Sequence, residues 1–224
     1  YDWQGGERAT QILGPVNYGT FYILLSDGRI RASGHPYETG HNSASSNPYV
    51  GNIEDGGSVL QNVIQIDYQT HQQATVALRS DGSIFSWGDN TNYNLGRPDP
   101  NHTVYGNGWQ GGAGQVEGIG SGSGAIKIAS FTHGTFVLFS DGTVKAWGKD
   151  PTTGYKLLKT GQEINASPVI ISGIPLLKDI FVPSPNVSGT DVVIGITKDN
   201  SDIIAWGSNQ YGTIERWYQG TITA

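Results

Sequence analysis

The sequence has no cysteine, no methionine and no hydrophobic run long enough to span a membrane. Without cysteine, neither disulfide bonds nor thiolate metal sites can hold the fold together. Because methionine is missing even at position 1, we expect a processed form or a fragment of a longer chain. No signal-peptide pattern occurs either, so the sequence predicts no insertion into a membrane.

Charged residues are also scarce, at 14% of the chain, and basic ones are the scarcer kind. The chain carries 13 Lys and Arg against 19 Asp and Glu, a formal net charge of −6, and shows no basic cluster. A protein that binds nucleic acid through counterion release needs an excess of basic residues, so nucleic acid is not an expected partner. The richness in Asn, Ser, Thr and Gly, with Cys and Met absent, favours an extracellular or virion-surface location.

The residues that are present suit short strands joined by many turns. The chain has 33 glycines, and most of the remainder is small polar, β-branched or aromatic. Such a composition disfavours helices and predicts an all-β fold.

Four segments repeat the same pattern of strand, tight turn and strand. They read FYILLSDGRIRASG from Phe21, TVALRSDGSIFSWG from Thr75, TFVLFSDGTVKAWG from Thr135 and IGITKDNSDIIAWG from Ile194. Asp-Gly supplies the positive φ angles of a tight hairpin turn, and the alternating apolar runs on either side predict half-buried strands. The residues that we assign to the structural repeat are the turn residues Asp27, Asp81, Asp141 and Asn200 and the closing tryptophans Trp87, Trp147 and Trp206, with Ser33 in the first repeat.

These repeats predict how the chain is organised. A short apolar strand precedes each of the last three repeats, so each repeat forms a small antiparallel sheet. A sheet of this size cannot bury both faces alone, and radial stacking of such sheets is a β-propeller. We therefore predict one propeller domain over residues 1–224, with repeats at about 10–60, 61–120, 121–172 and 173–220.

The order of apolar strand, His-containing bend, apolar strand, Ser-Asp-Gly, apolar strand and Trp-Gly resembles the repeat of the regulator of chromosome condensation (RCC1-like) family. Residues 63–96 match it most fully, and residues 125–148 match it as far as Trp-Gly. The resemblance implies a β-propeller, with seven blades in familiar members, and a role in binding. Relatives include an exchange factor for a small GTPase and a β-lactamase inhibitor.

Four repeats are fewer than the resemblance implies, which leaves three interpretations open. The chain is a fragment of a longer propeller, a smaller ring, or an open arc completed by other chains. A Trp-and-Gly pattern recurs at Trp3-Gln4-Gly5, Trp109-Gln110-Gly111 and Trp217-Tyr218-Gln219-Gly220. This recurrence fits ring closure by both termini and fits the start of a fifth blade equally well.

No group of residues predicts catalysis, so we expect no enzyme, no cofactor and no metal site. His71 and His133 occupy the same place in successive repeats, and a structural role is the preferred interpretation. Two oxygen-rich runs, Asp89–Asn92 and Asp199–Asp202, are calcium candidates, but neither has the spacing of a known calcium loop. Turn chemistry explains both runs better.

Long connections separate the repeats, at residues 35–58, 89–124, 149–172 and 181–191. Aromatic rings among small polar residues give a recognition surface contact area at low entropic cost. We therefore assign ligand binding to the tyrosines of these connections, which are Tyr37, Tyr49, Tyr93, Tyr105 and Tyr155.

Two functions compete at this point. The main prediction is a non-catalytic recognition module on a virion or cell surface, as in a phage spike or a bacterial adhesin. It would bind a receptor protein or a glycan and would belong to a larger chain or an oligomer. The alternative is a soluble regulator or inhibitor that binds one protein partner, as in RCC1-like exchange factors or propeller-type β-lactamase inhibitors.

Overall fold

The computed structural model describes residues 7–14, 19–35, 38–39, 49–69, 74–97, 109–150, 157–183 and 191–207. These residues form 17 β-strands and contain no α-helix. All strand pairs are antiparallel. The prediction of an all-β fold is therefore confirmed.

The strands form successive small sheets, each a meander in chain order. The first sheet contains β1 (Ala9–Leu13), β2 (Phe21–Leu25), β3 (Ile30–Gly34) and β4 (Tyr49–Asn52), and a hairpin of β5 (Glu54–Asp55) and β6 (Ser58–Val59) follows it. The second sheet contains β7 (Val63–Gln69), β8 (Ala74–Arg79), β9 (Ile84–Asp89) and β10 (Trp109–Gln115). The third contains β11 (Ala125–Phe131), β12 (Gly134–Phe139), β13 (Val144–Lys149) and β14 (Ile164–Ile170). The fourth contains β15 (Leu177–Phe181), β16 (Val192–Thr197) and β17 (Ile203–Gly207).

Neighbouring sheets pack face to face, and the core lies in layers between them. One cluster joins the first and second sheets around Tyr22 and Trp87, the next joins the second and third around Val76 and Trp147, and the last joins the third and fourth around Trp206. Strand β8 is buried on both faces because it has a sheet on either side. This arrangement explains why its sequence, ATVALR, is almost continuously apolar.

The first strands of successive sheets lie against one another, and all four have a register shift near their start. The residues at the shift, Thr10, Ile64, Ile126 and Lys178, have exposed side chains. Such a β-bulge re-aims the residue that follows it. In the first three sheets the following residue, Gln11, Gln65 or Lys127, forms hydrogen bonds to the next sheet.

Three segments that the sequence analysis treats as loops contain strands. Strands β4, β10 and β14 lie within residues 35–58, 89–124 and 149–172 and pair with β3, β9 and β13. Glycine or proline inside these strands, as in WQGGAGQ of β10 and INASPVI of β14, weakens their strand patterning. These strands are stabilised by pairing with the neighbouring third strand and not by their own β-strand propensity.

The fourth repeat also differs from its gap-free alignment. The alignment puts Asn200 at the place of Asp27, Asp81 and Asp141, but Asp199 occupies that place in the structure. Asp199 Oδ1 accepts hydrogen bonds from the backbone N–H of Ser201 at 3.0 Å and from its hydroxyl at 2.7 Å. Asn200, with φ of 61°, takes the role of the turn glycine, and Asp202 is an additional residue in this hairpin.

Candidate functional site

The topology brings the longest connections to one end of the sheets. The third strand of each four-stranded sheet ends, and the fourth begins, at paired positions: Gly34 with Tyr49, Asp89 with Trp109, and Lys149 with Ile164. We call this end the loop face. The opposite end, which carries the turns at Asp27, Asp81, Asp141 and Asp199, is the turn face.

The repeat tryptophans tie the bases of these connections together. Trp87 Nε1 donates to the Glu38 carbonyl at 3.0 Å, and Trp147 Nε1 donates to the Asn94 carbonyl at 2.7 Å. Trp206 Nε1 donates to the Leu157 carbonyl at 3.0 Å. In each case the acceptor lies just beyond the third strand of the preceding sheet. The three rings are at most 1% exposed, so each hydrogen bond is shielded from water.

Aromatic and hydroxyl groups reinforce the first of these contacts. Tyr22 packs edge-on against Trp87, with ring centroids 6.0 Å apart, and its hydroxyl also donates to the Glu38 carbonyl. Thr75 Oγ1 donates to the Tyr22 hydroxyl at 3.0 Å. Burial raises the pKa of Tyr22 well above its usual value, and burial also raises the pKa of Glu38 to about 7. The connection after β3 is therefore held by a buried network that spans two sheets.

The glycine after each tryptophan allows close approach of two backbones. Gly148 has φ of 106°, and a Cβ there would lie 2.1 Å from the His133 carbonyl oxygen. Gly207, with φ of 112°, would place a Cβ 2.4 Å from the Asp191 carbonyl oxygen. Only glycine tolerates both the φ angle and the contact. The Trp-Gly pair thus marks where the third strand leaves the sheet at the loop face.

The aspartates of the turn face have a structural role. Asp81 and Asp141 each accept two hydrogen bonds from the residue two positions later, Ser83 and Thr143. These hydrogen bonds lower the pKa of both carboxyls. Hydrogen bonds from Thr197 and Ser201 lower the pKa of Asp199 to about 2. Asp81 and Asp141 therefore each close their own tight turn through these hydrogen bonds.

Of the five tyrosines assigned to ligand binding, the structure describes the side chain of one. Tyr93 lies at the loop face in the connection after β9, is half-buried, and adopts a φ of 59°. Tyr49 begins β4 opposite Gly34, which also places its backbone at the loop face. Tyr37, Tyr105 and Tyr155 lie outside the described residues. Their assignment to binding stays a prediction.

The other candidates from the sequence are in positions that turn and strand geometry explains. Asp89 Oδ1 accepts hydrogen bonds from the Thr91 backbone at 2.8 Å and from its hydroxyl at 2.5 Å, in the same manner as the turn-face aspartates. The His133 carbonyl accepts a hydrogen bond from Lys149 N–H at 3.0 Å. His71 lies outside the described residues. Within those residues, no three His, Cys, Asp or Glu side chains are placed to hold a metal ion.

Sequence reasoning missed the cross-sheet contacts of the first strands. Gln11 Nε2 donates to the Ile66 carbonyl at 2.7 Å while its Oε1 accepts from Ile66 N–H at 3.0 Å, and Gln65 makes the same pair of bonds to Ile128 at 2.8 and 3.0 Å. Lys127, at the equivalent position, instead forms a 2.5 Å ion pair with Asp179. The signal was a polar residue before isoleucine in each first strand.

A cavity of about 260 Å³ opens beside these contacts, lined by residues of all four first strands. Asp67 lies in its wall and accepts hydrogen bonds from the backbone N–H groups of Tyr68 at 2.8 Å and Ser130 at 2.7 Å. Burial raises the pKa of Asp67 to about 6, and these hydrogen bonds oppose the rise. The polar groups of this cavity form hydrogen bonds with one another, so this region is a structural seam between the sheets.

Comparison with known proteins agrees with this geometry. The structure is similar to human WBSCR16, with a TM-score of 0.64 and 16% identity over 90% of this chain. It is also similar to Prp20p from Saccharomyces cerevisiae, solved with its binding properties to Gsp1p and histones (TM-score 0.59, 16% identity, 90% of this chain), and to yeast RCC1 (Prp20) with Kap60 bound to it (TM-score 0.61, 16% identity, 93% of this chain). The fold is RCC1-like.

The chain spans about half the length of these RCC1-like chains, between 45% and 47%. No family model matches the sequence. The resemblance inferred from the Ser-Asp-Gly and Trp-Gly repeats is confirmed at the level of the fold. That the chain is not an enzyme stays a prediction.

The main functional prediction, by contrast, is wrong. The solved RCC1-like structures were characterised with Gsp1p, histones and Kap60, and not with a surface receptor or a glycan. The predicted viral spike or adhesin role, the receptor partner and the extracellular or virion-surface location are therefore overturned. Composition misled the prediction because richness in Asn, Ser and Thr reflects the many turns of this fold as readily as a location. The described part of the chain contains no membrane-spanning helix candidate.

Proposed function

We propose that this chain is a non-catalytic RCC1-like regulator that binds one protein partner through its loop face. The observation that carries the proposal is the likeness to Prp20p, which was solved together with its binding to Gsp1p and histones. We also propose that the four sheets are consecutive blades of one propeller domain over residues 1–224. The geometry of the loop face and the charge of the chain support this function beyond the likeness of the fold.

Buried hydrogen bonds fix the described part of the loop face. Buried indole hydrogen bonds hold the start of each long connection at Glu38, Asn94 and Leu157. Binding loops that are fixed at their base lose less conformational entropy when a partner binds. Tyr93 lies at this face, and a half-buried aromatic ring on a fixed loop is a common anchor in protein interfaces.

The charge of the chain supports a partner with a basic surface. The formal net charge is −6 and the sequence pI is about 5.2. An acidic protein attracts a basic partner over several ångströms and accelerates its association, an effect that salt weakens. Histones, which Prp20p binds, are partners of this kind.

The proposal is tested with two purified probes, Gsp1p and core histones, on the immobilised full chain. We compare the wild type with Tyr93→Ala at the loop face and with a matched control, Asp55→Asn, whose exposed side chain lies in the β5–β6 hairpin toward the turn face. We expect at least one probe to bind, Tyr93→Ala to weaken it about tenfold, and Asp55→Asn to bind like the wild type.

Urea unfolding of both variants checks that each keeps its fold. Equal loss in the two variants, or loss in Asp55→Asn alone, would contradict a binding site at the loop face. No binding of either probe by the folded wild type would reject a partner of the Gsp1p or histone class.

A further inference from the structure

The chain contains four Asp-Gly pairs, and the structure describes all of them. Three form turns of the turn face, at Asp27, Asp81 and Asp141, and the fourth is Asp55-Gly56 in the β5–β6 hairpin. Asp-Gly is prone to a spontaneous reaction, because glycine has no side chain to hinder approach to the neighbouring carboxyl. The glycine backbone nitrogen attacks the aspartate Cγ, a succinimide ring closes, and one water leaves.

Water then opens this ring at either of its two carbonyls. Attack at Cγ restores aspartate, whereas attack at the α-carbonyl gives isoaspartate, in which the main chain continues through the side-chain carbon. The overall change is an isomerisation that needs no oxidant, reductant or cofactor. Ring closure is favoured by a glycine N–H that donates no hydrogen bond, by a carboxyl that is not held in its ionised form, and by room for the main chain to rotate.

The three Asp-Gly pairs of the turn face lack the first two of these conditions. The glycine N–H of each donates to the carbonyl three residues earlier, over 2.9 to 3.0 Å. Oδ1 of each aspartate accepts a hydrogen bond from the backbone N–H two residues later, over 2.8 to 3.0 Å. Hydrogen bonds to the carboxylates lower the pKa of all three aspartates and so favour the ionised form, which is a poor target for the nitrogen.

Room for rotation is also missing at these three turns, because the segment that leads to the next sheet covers each of them. The glycine carbonyl of each turn accepts a hydrogen bond from this segment, donated by Val63 N–H, by the Ser123 hydroxyl and by Leu177 N–H over 2.7 to 3.0 Å. A Cβ on Gly28 would lie 2.7 Å from the backbone nitrogen of Asn62. The main chain of these turns therefore cannot rotate without breaking contacts with its neighbours.

Asp55-Gly56 differs in all three respects. Asp55, Gly56 and Gly57 are exposed, and the two glycines form the two-residue turn of the hairpin with φ of 56° and 86°. Among the residues that the structure describes, Gly56 N–H donates to none and the Asp55 carboxyl accepts from none. A Cβ on either glycine would meet no described atom within 4 Å. The hairpin thus leaves nucleophile, carboxyl and main chain free to react.

We propose that Asp55-Gly56 is a site of spontaneous isoaspartate formation in the folded protein, and that the fold protects the other three Asp-Gly pairs. Asp55 pairs with Ser58, and β5 lies beside β10 of the second sheet. Isoaspartate adds one carbon to the main chain of β5, so it disturbs this pairing. The proposal depends on the hairpin alone and stands without the proposed function.

Ageing of the folded chain in water enriched in ¹⁸O tests the proposal, because each passage through the ring incorporates one oxygen from the solvent. Peptide mass spectrometry with fragmentation locates both the label and the isoaspartate. We expect label at Asp55 to accumulate at least tenfold faster than at Asp27, Asp81 or Asp141. In guanidinium chloride, where the chain is unfolded, the four rates should converge to within a factor of a few.

Asp55→Glu is the matched control, since it keeps the charge but would need a larger ring that closes far more slowly. We expect it to lose the label at residue 55 and to leave labelling of the turn face unchanged. Asp55→Asn closes the same ring with loss of ammonia, so it is a positive control here and is used freshly prepared in the binding test with Gsp1p and histones.

Two results would overturn the proposal. One is labelling of Asp55 in the folded chain that is no faster than labelling of the turn-face aspartates, which would show that the hairpin does not expose this pair to ring closure. The other is a tenfold preference for Asp55 that persists after unfolding, which would show that the adjacent sequence and not the fold selects the site.

Discussion

Replacing each buried indole by a phenyl ring tests whether the tryptophan hydrogen bonds hold neighbouring sheets together. The change Trp→Phe keeps most of the buried ring and removes the Nε1 donor. The loss in free energy of unfolding depends on whether the carbonyl that loses the indole donor keeps another hydrogen-bond donor. A buried acceptor left without a partner costs about 1–3 kcal/mol, whereas an acceptor that keeps another donor loses only the net worth of one bond, about 0.5–1.5 kcal/mol.

Two of the tryptophans differ in this respect. The Asn94 carbonyl, which accepts from Trp147, also accepts from Gln69 Nε2 at 2.9 Å. The Leu157 carbonyl accepts from Trp206 and has no second donor among the described residues. We therefore expect Trp206→Phe to lower the free energy of unfolding by about 1–2 kcal/mol more than Trp147→Phe, after the loss of buried ring area that both share.

Urea unfolding followed by far-ultraviolet circular dichroism measures this difference, since it does not depend on tryptophan fluorescence. Trp147→Ala provides the scale, because loss of a fully buried tryptophan costs about 3–5 kcal/mol. If Trp206→Phe proves no more costly than Trp147→Phe, the satisfaction of the acceptor does not govern these contacts and the reasoning fails.

Three further predictions concern backbone contact, charge and the seam between sheets. Gly148→Ala should be more destabilising than Gly161→Ala by over 1 kcal/mol in urea unfolding, because both glycines have positive φ but only at Gly148 would the new Cβ meet a carbonyl oxygen at 2.1 Å. Burial raises the pKa of Glu38 in the folded state to about 7, so its contribution to stability is greatest below its unfolded pKa and falls as the pH rises toward 7. Between pH 4.5 and 8, the free energy of unfolding of Glu38→Gln should therefore rise by about 1–3 kcal/mol relative to that of the wild type. Equal pH profiles of the free energy of unfolding would contradict this. Gln65→Ala removes the side-chain hydrogen bonds to the N–H and carbonyl of Ile128 and should speed hydrogen exchange at the Ile128 amide at least tenfold. Unchanged exchange would show that these hydrogen bonds do not stabilise the contact between the two sheets.

The parts of this fold that were predictable from sequence depend on local chemistry. Asp-Gly at Asp81 and its equivalents predicts a hairpin because the turn needs a positive φ, and Gly82 has one, at 84°. The tryptophan contacts were not predictable, because the acceptor of Trp87 lies 49 residues upstream in another repeat. Every residue has a backbone carbonyl, so the sequence does not mark which one accepts the indole hydrogen bond, and only the packing of the two sheets shows it.

The fourth hairpin shows a different limit. A gap-free alignment cannot detect that Asp202 is an additional residue, because the apolar residues on both sides still alternate after a shift by one. The register of a strand is marked in the sequence by one apolar and one polar face, and it cannot be read from a strand with apolar residues on both faces. The candidate site was predictable only in its position on the long connections, since neither the partner nor the location of a protein is written in turn residues and tyrosines.

The indole contacts reach back to the preceding sheet and the glutamine contacts reach forward to the next one, so each joins a sheet to its immediate neighbour. A structure coupled in this way unfolds as a linear array, in which contacts with the neighbouring units contribute to the stability of each unit. Among the four sheets that the structure describes, the second and third have a partner sheet on both sides and should open last. A ligand that binds across two connections would then stabilise the two sheets that it contacts and, through their shared contacts, also the sheets that it does not contact.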